Sequence, residues 1–259
     1  MLAMNAKQII PSDFHKHRKV FQKDGQGFLN VSEFYFDTIQ GEGVWTGYPS
    51  AFLRLQGCTL NCSYCDTTEV WRYGSPFSYT ELLDLIEQNG LHAKLQFGQH
   101  LVITGGSPLL QQAHLYDFIY AFYKRFMFKP FIEIENECVI YPNIDLVGVV
   151  NCWNNSPKLA SSKNAFENYY KPEIINYMTQ LDNSWFKFVI SSPDDWNEIE
   201  VGFLFPELIE KSQIILMPEG ITEEEIKLKR EMVIEMAIEH NVRYCTREHI
   251  MVWGRRIGI

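Results

Sequence analysis

The chain has 259 residues, of which 46% are hydrophobic and 21% charged, and its formal net charge is -9. A chain of this length and apolar content can bury a full core, which excludes a disordered or fibrous protein. The acidic balance argues against a broad nucleic-acid surface, because such a surface needs clustered basic residues. No apolar run approaches the roughly 20 residues of a membrane span. We therefore expect a soluble cytoplasmic protein that binds neither nucleic acid nor membrane.

Apolar runs and helical patterns alternate along the chain after an N-terminal arm of residues 1–30, which contains a turn-like segment at 24–27. Six strands are predicted, at 51–55, 101–104, 131–135, 146–150, 186–190 and 214–217. Helices are predicted at 79–89, at 111–126 and from residue 223 to about 240, with a mixed stretch at 165–181. The pairs Ser78/Glu81 and Thr222/Glu225 have the spacing of capping boxes and mark two of the helix starts.

This alternation of strands and helices favours a parallel α/β sheet. The length is close to that of a (β/α)8 barrel, but the chain lacks eight comfortable strand–helix pairs. We therefore predict an incomplete α/β barrel over residues 31–259, and the end of the arm is the only domain boundary that the sequence indicates.

Three of the six cysteines, Cys58, Cys62 and Cys65, fall within eight residues and have the spacing C-x3-C-x2-C. They directly follow a predicted strand, where parallel α/β proteins place their chemistry. The other cysteines are scattered, so the distribution indicates a metal site in a reducing compartment rather than a disulfide framework.

Three thiolates are compatible with two kinds of metal site. A 4Fe-4S cluster held by three cysteines leaves one iron open for a ligand, and this reading is favoured. A structural zinc normally takes four protein ligands. Zinc remains an alternative if a distant residue completes the set; the candidates are His92, His100 and Cys138.

The cysteine spacing, with Tyr64 directly before the third cysteine, resembles that of radical S-adenosylmethionine (SAM) enzymes. Further short motifs narrow this resemblance to the 7-carboxy-7-deazaguanine synthase (QueE) family, from about residue 33 to the C-terminus. These motifs lie at residues 38–43, 52–54, 65–67, 104–106, 156–158 and 253–256. Each motif is short, but chance does not explain the presence of all of them in this order and at this spacing.

The resemblance implies a radical SAM lyase that converts 6-carboxy-5,6,7,8-tetrahydropterin to 7-carboxy-7-deazaguanine with loss of ammonia, in queuosine and 7-deazapurine biosynthesis. It implies a 4Fe-4S cluster, SAM and Mg2+ as cofactors, a reducing electron donor such as flavodoxin, and a homodimer. In this family the open iron binds the amino and carboxylate groups of SAM. A glycyl-radical-enzyme activase, which shares the cysteine spacing, and a non-catalytic zinc or iron-sulfur binding module are the alternatives.

The same resemblance assigns the cofactor ligands. It implies that Cys58, Cys62 and Cys65 hold the cluster and that the hydroxyl of Thr67 binds magnesium. The SAM-contacting residues that it implies are Tyr64, Cys65, Asp66, Gly106, Ser156, Pro157, Lys158, Met217, Pro218, Glu219 and Gly220.

The resemblance also places the pterin beside the residues Ile39, Gln40, Gly41, Glu42, Arg54 and Thr104. Gln40 and Glu42 can pair with the amide-like edge of a pterin, and Arg54 can clamp a carboxylate. Each side chain also has a structural alternative: a satisfied loop amide for Gln40, and a strand-end ion pair for Arg54.

The chain departs from the family pattern at two motifs. Ser107 stands where the family has a glutamate whose carboxylate contacts the SAM amino group. Glu135 begins an acidic strand-end motif, but the threonine and glycine that follow in the family are absent here. Glu135 therefore either contacts a ligand or caps a neighbouring loop, while Arg255 and Arg256 either close over the substrate or pack the chain end.

Overall fold

The computed structural model describes residues 6–12 and 27–258. Residues 1–5 and 13–26 of the predicted arm, with the turn-like positions 24–26, lie outside these ranges. The strands are β1 (Lys7–Ile10), β2 (Phe28–Ile39), β3 (Pro49–Leu55), β4 (Ser75–Ser78), β5 (His100–Gly105), β6 (Phe131–Asn136), β7 (Cys152–Asn155), β8 (Ser184–Ile190), β9 (Ile214–Pro218) and β10 (Arg243–Tyr244). The α-helices are α1 (Thr68–Trp71), α2 (Tyr79–Gln88), α3 (Leu91–Gln96), α4 (Gln112–Phe126), α5 (Ile144–Val147), α6 (Phe166–Tyr169), α7 (Pro172–Thr179), α8 (Asp194–Ile199), α9 (Glu223–His240) and α10 (Glu248–Trp253).

These strands form one sheet in the order β1-β2-β3-β5-β6-β7-β8-β9-β10, and β4 pairs with β2. Every pairing from β3 to β10 is parallel, whereas β1, β2 and β4 join the sheet by antiparallel pairing. In the described residues β1 and β10 stand at opposite ends of this order, so the sheet is open. The predicted incomplete α/β barrel with mostly parallel strands is confirmed.

Side chains alternate between the two faces of the parallel strands, because successive residues of a strand point in opposite directions. In β6, Ile132 and Ile134 belong to the main hydrophobic core, whereas Glu133 and Glu135 belong to the other face. Lys187 occupies the corresponding face of β8, between phenylalanines of the core. One face of the sheet therefore packs against the helices, and the opposite face carries buried polar groups.

The strand predicted at 146–150 is wrong. Residues Ile144–Val147 form α5, whose cap Asn143 accepts a hydrogen bond from the backbone N–H of Asp145 at 2.9 Å. The strand of this unit is β7, which carries the polar residues Asn154 and Asn155. A continuous apolar run does not distinguish a buried strand from a buried helix, and the asparagines are tolerated because both donate hydrogen bonds to buried partners.

The described part of the predicted arm joins the sheet. Strand β1 pairs with β2, and β2 runs from Phe28 across the predicted boundary at residue 31. The division of the chain into an arm and a main domain stays a prediction. No helix among the described residues has the length and apolar character needed to cross a membrane.

Both predicted capping boxes are present, at Ser78 before α2 and at Thr222 before α9. The Ser78 hydroxyl accepts a hydrogen bond from the Glu81 backbone N–H at 3.2 Å, and the Glu81 carboxylate accepts one from the Ser78 backbone N–H at 2.8 Å. We expect Ser78→Ala to lower the free energy of unfolding by about 1 kcal/mol, because one helix N–H loses its partner. Urea unfolding would measure this loss, and an unchanged midpoint would contradict it.

Candidate active site

A cavity lies on the polar face of the sheet, at the carboxyl ends of the parallel strands, and encloses about 1230 Å³ of free space including its open mouth. All of the predicted site residues line it except Pro157 and Pro218. The register of the strands explains part of this convergence. Arg54 of β3 is the partner of Thr104 of β5, and Glu135 of β6 is the partner of Asn154 of β7. The structure therefore brings the predicted residues together, while their individual ligand roles stay predictions.

The loop from β3 to α1 carries the three clustered cysteines, and each thiol accepts a hydrogen bond from another part of the chain. The donors are the Ser107 hydroxyl to Cys58 (3.7 Å), the Asn164 side-chain amide to Cys62 (3.2 Å) and the Trp71 indole N–H to Cys65 (3.5 Å). Donors at sulfur favour the thiolate, which is the metal-binding form. The donor set is therefore suited to a thiolate-ligated metal cluster.

Two of the thiols differ in their electrostatic surroundings. Burial raises the pKa of Cys58. Burial opposes ionisation of Cys65 as well, but hydrogen bonds from Thr68, Trp71 and Thr67 bring its pKa below the ordinary value. Cys65 is thus the thiol that ionises more readily.

The three residues considered as a distant zinc ligand do not line the cavity. His92 stacks on Phe126, and His100 stacks on Phe131. Cys138 is completely buried. None of the three therefore lies in the cavity beside the cysteine loop.

A largely buried network of four charges forms one wall of the cavity. Glu42 accepts hydrogen bonds from the Nζ of Lys187 and from the Nε of Arg247, the latter at 2.8 Å. Arg247 also binds the carboxylate of Asp66 and donates to the backbone oxygen of Gly220 at 2.8 Å. One arginine therefore connects the motif at residues 38–43, here called the pterin motif, with the cysteine loop and the loop after β9.

The cations of this network keep its carboxylates ionised. Burial opposes ionisation of Glu42, but Lys187 and Arg247 hold its pKa well below the ordinary value. Burial opposes ionisation of Asp66 too, and Arg247 holds its pKa below the usual range. Two negative charges are thus fixed in the wall by two positive ones.

Arg54 forms the ion pair that was its structural alternative. Its Nε lies 2.7 Å from Glu33 Oε1; Glu33 is buried, and 12% of the Arg54 side chain is exposed. Arg54 nevertheless lines the cavity, together with Tyr35. Tyr35 stacks on Phe52 with ring centroids 5.3 Å apart, and burial raises its pKa. Both readings of Arg54 are compatible, because the pair with Glu33 uses only one of its five N–H donors.

The side-chain amide of Gln40 forms hydrogen bonds within the protein, which is the structural alternative given for it above. Its Nε2 donates to Glu133 Oε1 at 2.7 Å, and its Oε1 accepts from the backbone N–H of Glu42 at 3.2 Å. The hydroxyl of Thr104 donates to Glu135 at 2.6 Å. Glu135 also lines the cavity, so its contact with a ligand stays a prediction.

Three comparisons with known proteins identify the family. Residues 39–135 match the model of a 4Fe-4S single cluster domain. The 7-carboxy-7-deazaguanine synthase of Halobacterium salinarum is 31% identical in an alignment that covers 87% of this chain and 91% of the relative. That of Rhodopirellula baltica is 30% identical, with 96% of each chain covered. The chain belongs to the 7-carboxy-7-deazaguanine synthase family.

The fold agrees with this assignment. A crystal structure of QueE from Escherichia coli superposes with a TM-score of 0.58 at 20% identity, covering 86% of this chain and 95% of the other. The resemblance that the sequence motifs indicated is confirmed.

Several cavity residues of this 7-carboxy-7-deazaguanine synthase family member were not predicted from its sequence. Lys187 could have been found from the sequence, because it is the only charged residue in the mostly apolar strand β8. Arg247 and His249 come from a segment without a recognisable pattern. Arg255 and Arg256 are exposed and lie outside the cavity lining.

The position of His249 explains why residue 41 of the pterin motif is a glycine. A Cβ at Gly41 would lie 1.9 Å from the Nδ1 of His249, so only glycine fits between the loop and α10. Burial lowers the pKa of His249, which favours its neutral form. Gly41 thus packs closely against the side chain of His249 at the start of α10.

Proposed function

We propose that this chain is a radical SAM lyase that converts 6-carboxy-5,6,7,8-tetrahydropterin to 7-carboxy-7-deazaguanine with loss of ammonia. The observation that carries the proposal is that one cavity gathers the cysteine trio with the segments implied to bind SAM and pterin. Family membership adds that the relatives bear the name of this synthase. Membership in that family also favours this lyase over a glycyl-radical-enzyme activase.

The residues fit a 4Fe-4S cluster and SAM on three observations. Three thiols accept hydrogen bonds in one loop, Gly106 leaves no room for a side chain beside Cys58, and Glu137, which lines the cavity, has a buried oxygen without a hydrogen-bond partner. When bound, the cluster and SAM supply a 5'-deoxyadenosyl radical to the site.

The chain itself holds these groups and shields them from water. We assign the cluster to Cys58, Cys62 and Cys65. We assign SAM to cavity residues of the cysteine loop and of the loops after β5, β7 and β9, namely Tyr64, Asp66, Gly106, Ser156, Lys158, Met217, Glu219 and Gly220. Pro157 and Pro218 belong to the same segments but do not line the cavity.

The pterin is assigned to the wall that contains Gln40, Glu42 and Arg54. Glu42 is kept ionised by Lys187 and Arg247, and an ionised carboxylate accepts hydrogen bonds from N–H groups such as those of a pterin ring. Arg54, fixed through Nε by Glu33, retains N–H donors for the substrate carboxylate.

Magnesium is assigned to Thr67. Its hydroxyl oxygen lies 3.8 Å from the sulfur of Cys65 and lines the cavity. Magnesium prefers oxygen ligands and keeps several that do not come from the protein. A single neutral hydroxyl is an adequate protein ligand where cofactor and substrate oxygens complete the shell.

We further propose that the enzyme works in the cytoplasm as a homodimer and receives its electron from a reducing donor such as flavodoxin. The support is the resemblance to the family. Light scattering on the purified protein tests the dimer.

The activity is tested by anaerobic turnover of cluster-reconstituted protein with SAM, a reductant, Mg2+ and 6-carboxytetrahydropterin. We expect a product with the mass of 7-carboxy-7-deazaguanine, and a lower rate when Mg2+ is omitted. SAM cleavage without this product would contradict the substrate assignment, and an intact cluster without cleavage would favour a binding module.

Two cysteine variants control this experiment. Cys62→Ala should abolish turnover, because it removes a cluster ligand. Cys152→Ala should retain it, because Cys152 is a buried cysteine of β7 that does not line the cavity. Loss of activity in both variants would show that the cysteine loop is not the determinant.

A further inference from the structure

Ser107, which stands where the family has glutamate, is engaged by the cysteine loop. It is 1% exposed, and its hydroxyl oxygen accepts a hydrogen bond from the backbone N–H of Thr59 at 2.9 Å. Its own backbone N–H donates to the oxygen of Gly57 at 2.9 Å. Ser107 therefore holds the loop in place and offers a ligand no negative charge.

Glu137, one residue after β6, provides a carboxylate at the same place. Its Oε1 accepts a hydrogen bond from the hydroxyl of Thr59 at 2.8 Å, and the hydroxyl of Ser107 lies 3.0 Å from that of Thr59. Thr59 directly follows Cys58. The carboxylate is thus held by the loop that carries the cysteines.

The other oxygen of Glu137 is without a partner. The side chain is 5% exposed and lines the cavity, yet its Oε2 makes no hydrogen bond within the described residues. No ion pair to it is found among those residues. The ammonium of Lys158 is instead bonded to Ser156, at 2.8 Å and 2.9 Å.

A buried carboxylate oxygen without a partner is unfavourable, and a ligand with N–H donors removes that cost. SAM carries a carboxylate, which Glu137 would repel, and a sulfonium, which has no N–H. Its adenine amine and ribose hydroxyls are neutral donors, and only its methionyl amino group combines N–H donors with a positive charge. A hydrogen bond between an amino group and a carboxylate is charge-assisted and is among the stronger ones in proteins. The amino group is therefore the part of SAM that gains most from this position beside the cluster loop.

We propose that Glu137 receives the amino group of SAM and supplies the carboxylate that Ser107 lacks. This assignment rests on the proposed function. Glu137 is then a SAM-binding residue, and Thr59 is a positioning residue that holds it. The chain has moved the anionic contact from the end of β5 to the end of β6.

The test is the SAM dissociation constant of anaerobic, cluster-loaded protein without reductant, so that no cleavage occurs. Glu137→Gln keeps the shape and removes the charge, and we expect the constant to rise by about 10- to 100-fold. The second probe is a SAM analogue in which hydrogen replaces the amino group; wild type and variant should bind it equally. Glu231→Gln, at an exposed glutamate of α9 outside the cavity lining, should leave both constants unchanged.

Two results would overturn the assignment: an unchanged SAM constant in a Glu137→Gln protein of full iron content, or an equal loss of affinity for SAM and for the analogue. If Glu137→Gln fails to load the cluster, Glu137→Asp carries the same test, since it keeps the charge but withdraws it by one methylene. An Asp variant with wild-type affinity for SAM would also overturn it. If the wild type itself does not bind SAM, the proposed function falls instead.

Discussion

Replacing Arg247 by methionine should lower the free energy of unfolding by about 3–5 kcal/mol, because it leaves buried carboxylates without their shared cation. Arg247 binds both Glu42 and Asp66, and all three side chains lie in the cavity wall. Methionine keeps an unbranched apolar stem but lacks the guanidinium group, so the change removes the charge and its hydrogen bonds to Glu42, Asp66 and Gly220. Urea unfolding of the two proteins at neutral pH measures the difference.

The loss of stability caused by Arg247→Met should depend on pH, because the substitution acts on two carboxylates. Lys187 and Arg247 together hold the pKa of Glu42 below its ordinary value, and Arg247 holds that of Asp66 below its own, in both cases against the effect of burial. Their contribution to stability is therefore present above the ordinary carboxyl range and is lost as the pH falls through the lowered values. The gap between wild type and Arg247→Met should be widest at neutral pH and should narrow as the pH falls below about 4.

Arg125 is the matched control, since it also binds two carboxylates but at the surface. It lies 2.6 Å from Asp84 and also pairs with Glu87, and these side chains are substantially exposed. Arg125→Met should cost no more than about 1 kcal/mol, because solvent screens exposed pairs. Equal losses in the two variants would contradict a special contribution of the buried network.

The fold was predictable wherever a local signal agreed with the tertiary structure. Capping residues at Ser78 and Thr222 located two helix starts, and most apolar runs between turns are strands. The failure at 146–150 has a physical cause: β7 is stabilised by hydrogen bonds of Asn154 and Asn155 to residues distant in the sequence. Strand β2 was not predicted, because aromatic and polar residues mix in its sequence. Its pairing with β1, β3 and β4 depends on segments that are distant in the chain.

The site was predictable to the extent that short motifs carry it. The cysteine loop and the pterin motif are contiguous in sequence, so their residue types and spacing are visible. Lys187, Arg247 and Glu137 act as single residues, each brought to the cavity by a different strand or loop. Their partners Glu42, Asp66 and Thr59 lie at least 70 residues away in the chain, as the separations of the bonded pairs show. No pattern within a window of sequence contains that information.

Gly106→Ala should remove most of the iron that the protein binds after reconstitution. A Cβ at this position would lie 2.3 Å from the Cβ of Cys58 and 2.3 Å from the backbone oxygen of Gly57, so the cysteine loop has to shift. Overpacking of this kind costs about 1–3 kcal/mol or more, and here the strain falls on Cys58, a proposed cluster ligand. Iron and sulfide analysis, with circular dichroism to check folding, measures the outcome.

Gly148→Ala is the matched control for this change. Gly148 has an ordinary helical backbone conformation, and a Cβ there would lie 3.6 Å from the oxygen of Asp145, which is normal contact. This variant should bind as much iron as wild type. A Gly106→Ala protein with a full complement of iron would mean that the loop can move away from β5 and still present Cys58 to the cluster. The close contact at Gly106 would then be a feature of packing, and the geometry of the cluster site would be set by Cys62, Cys65 and their hydrogen-bond donors.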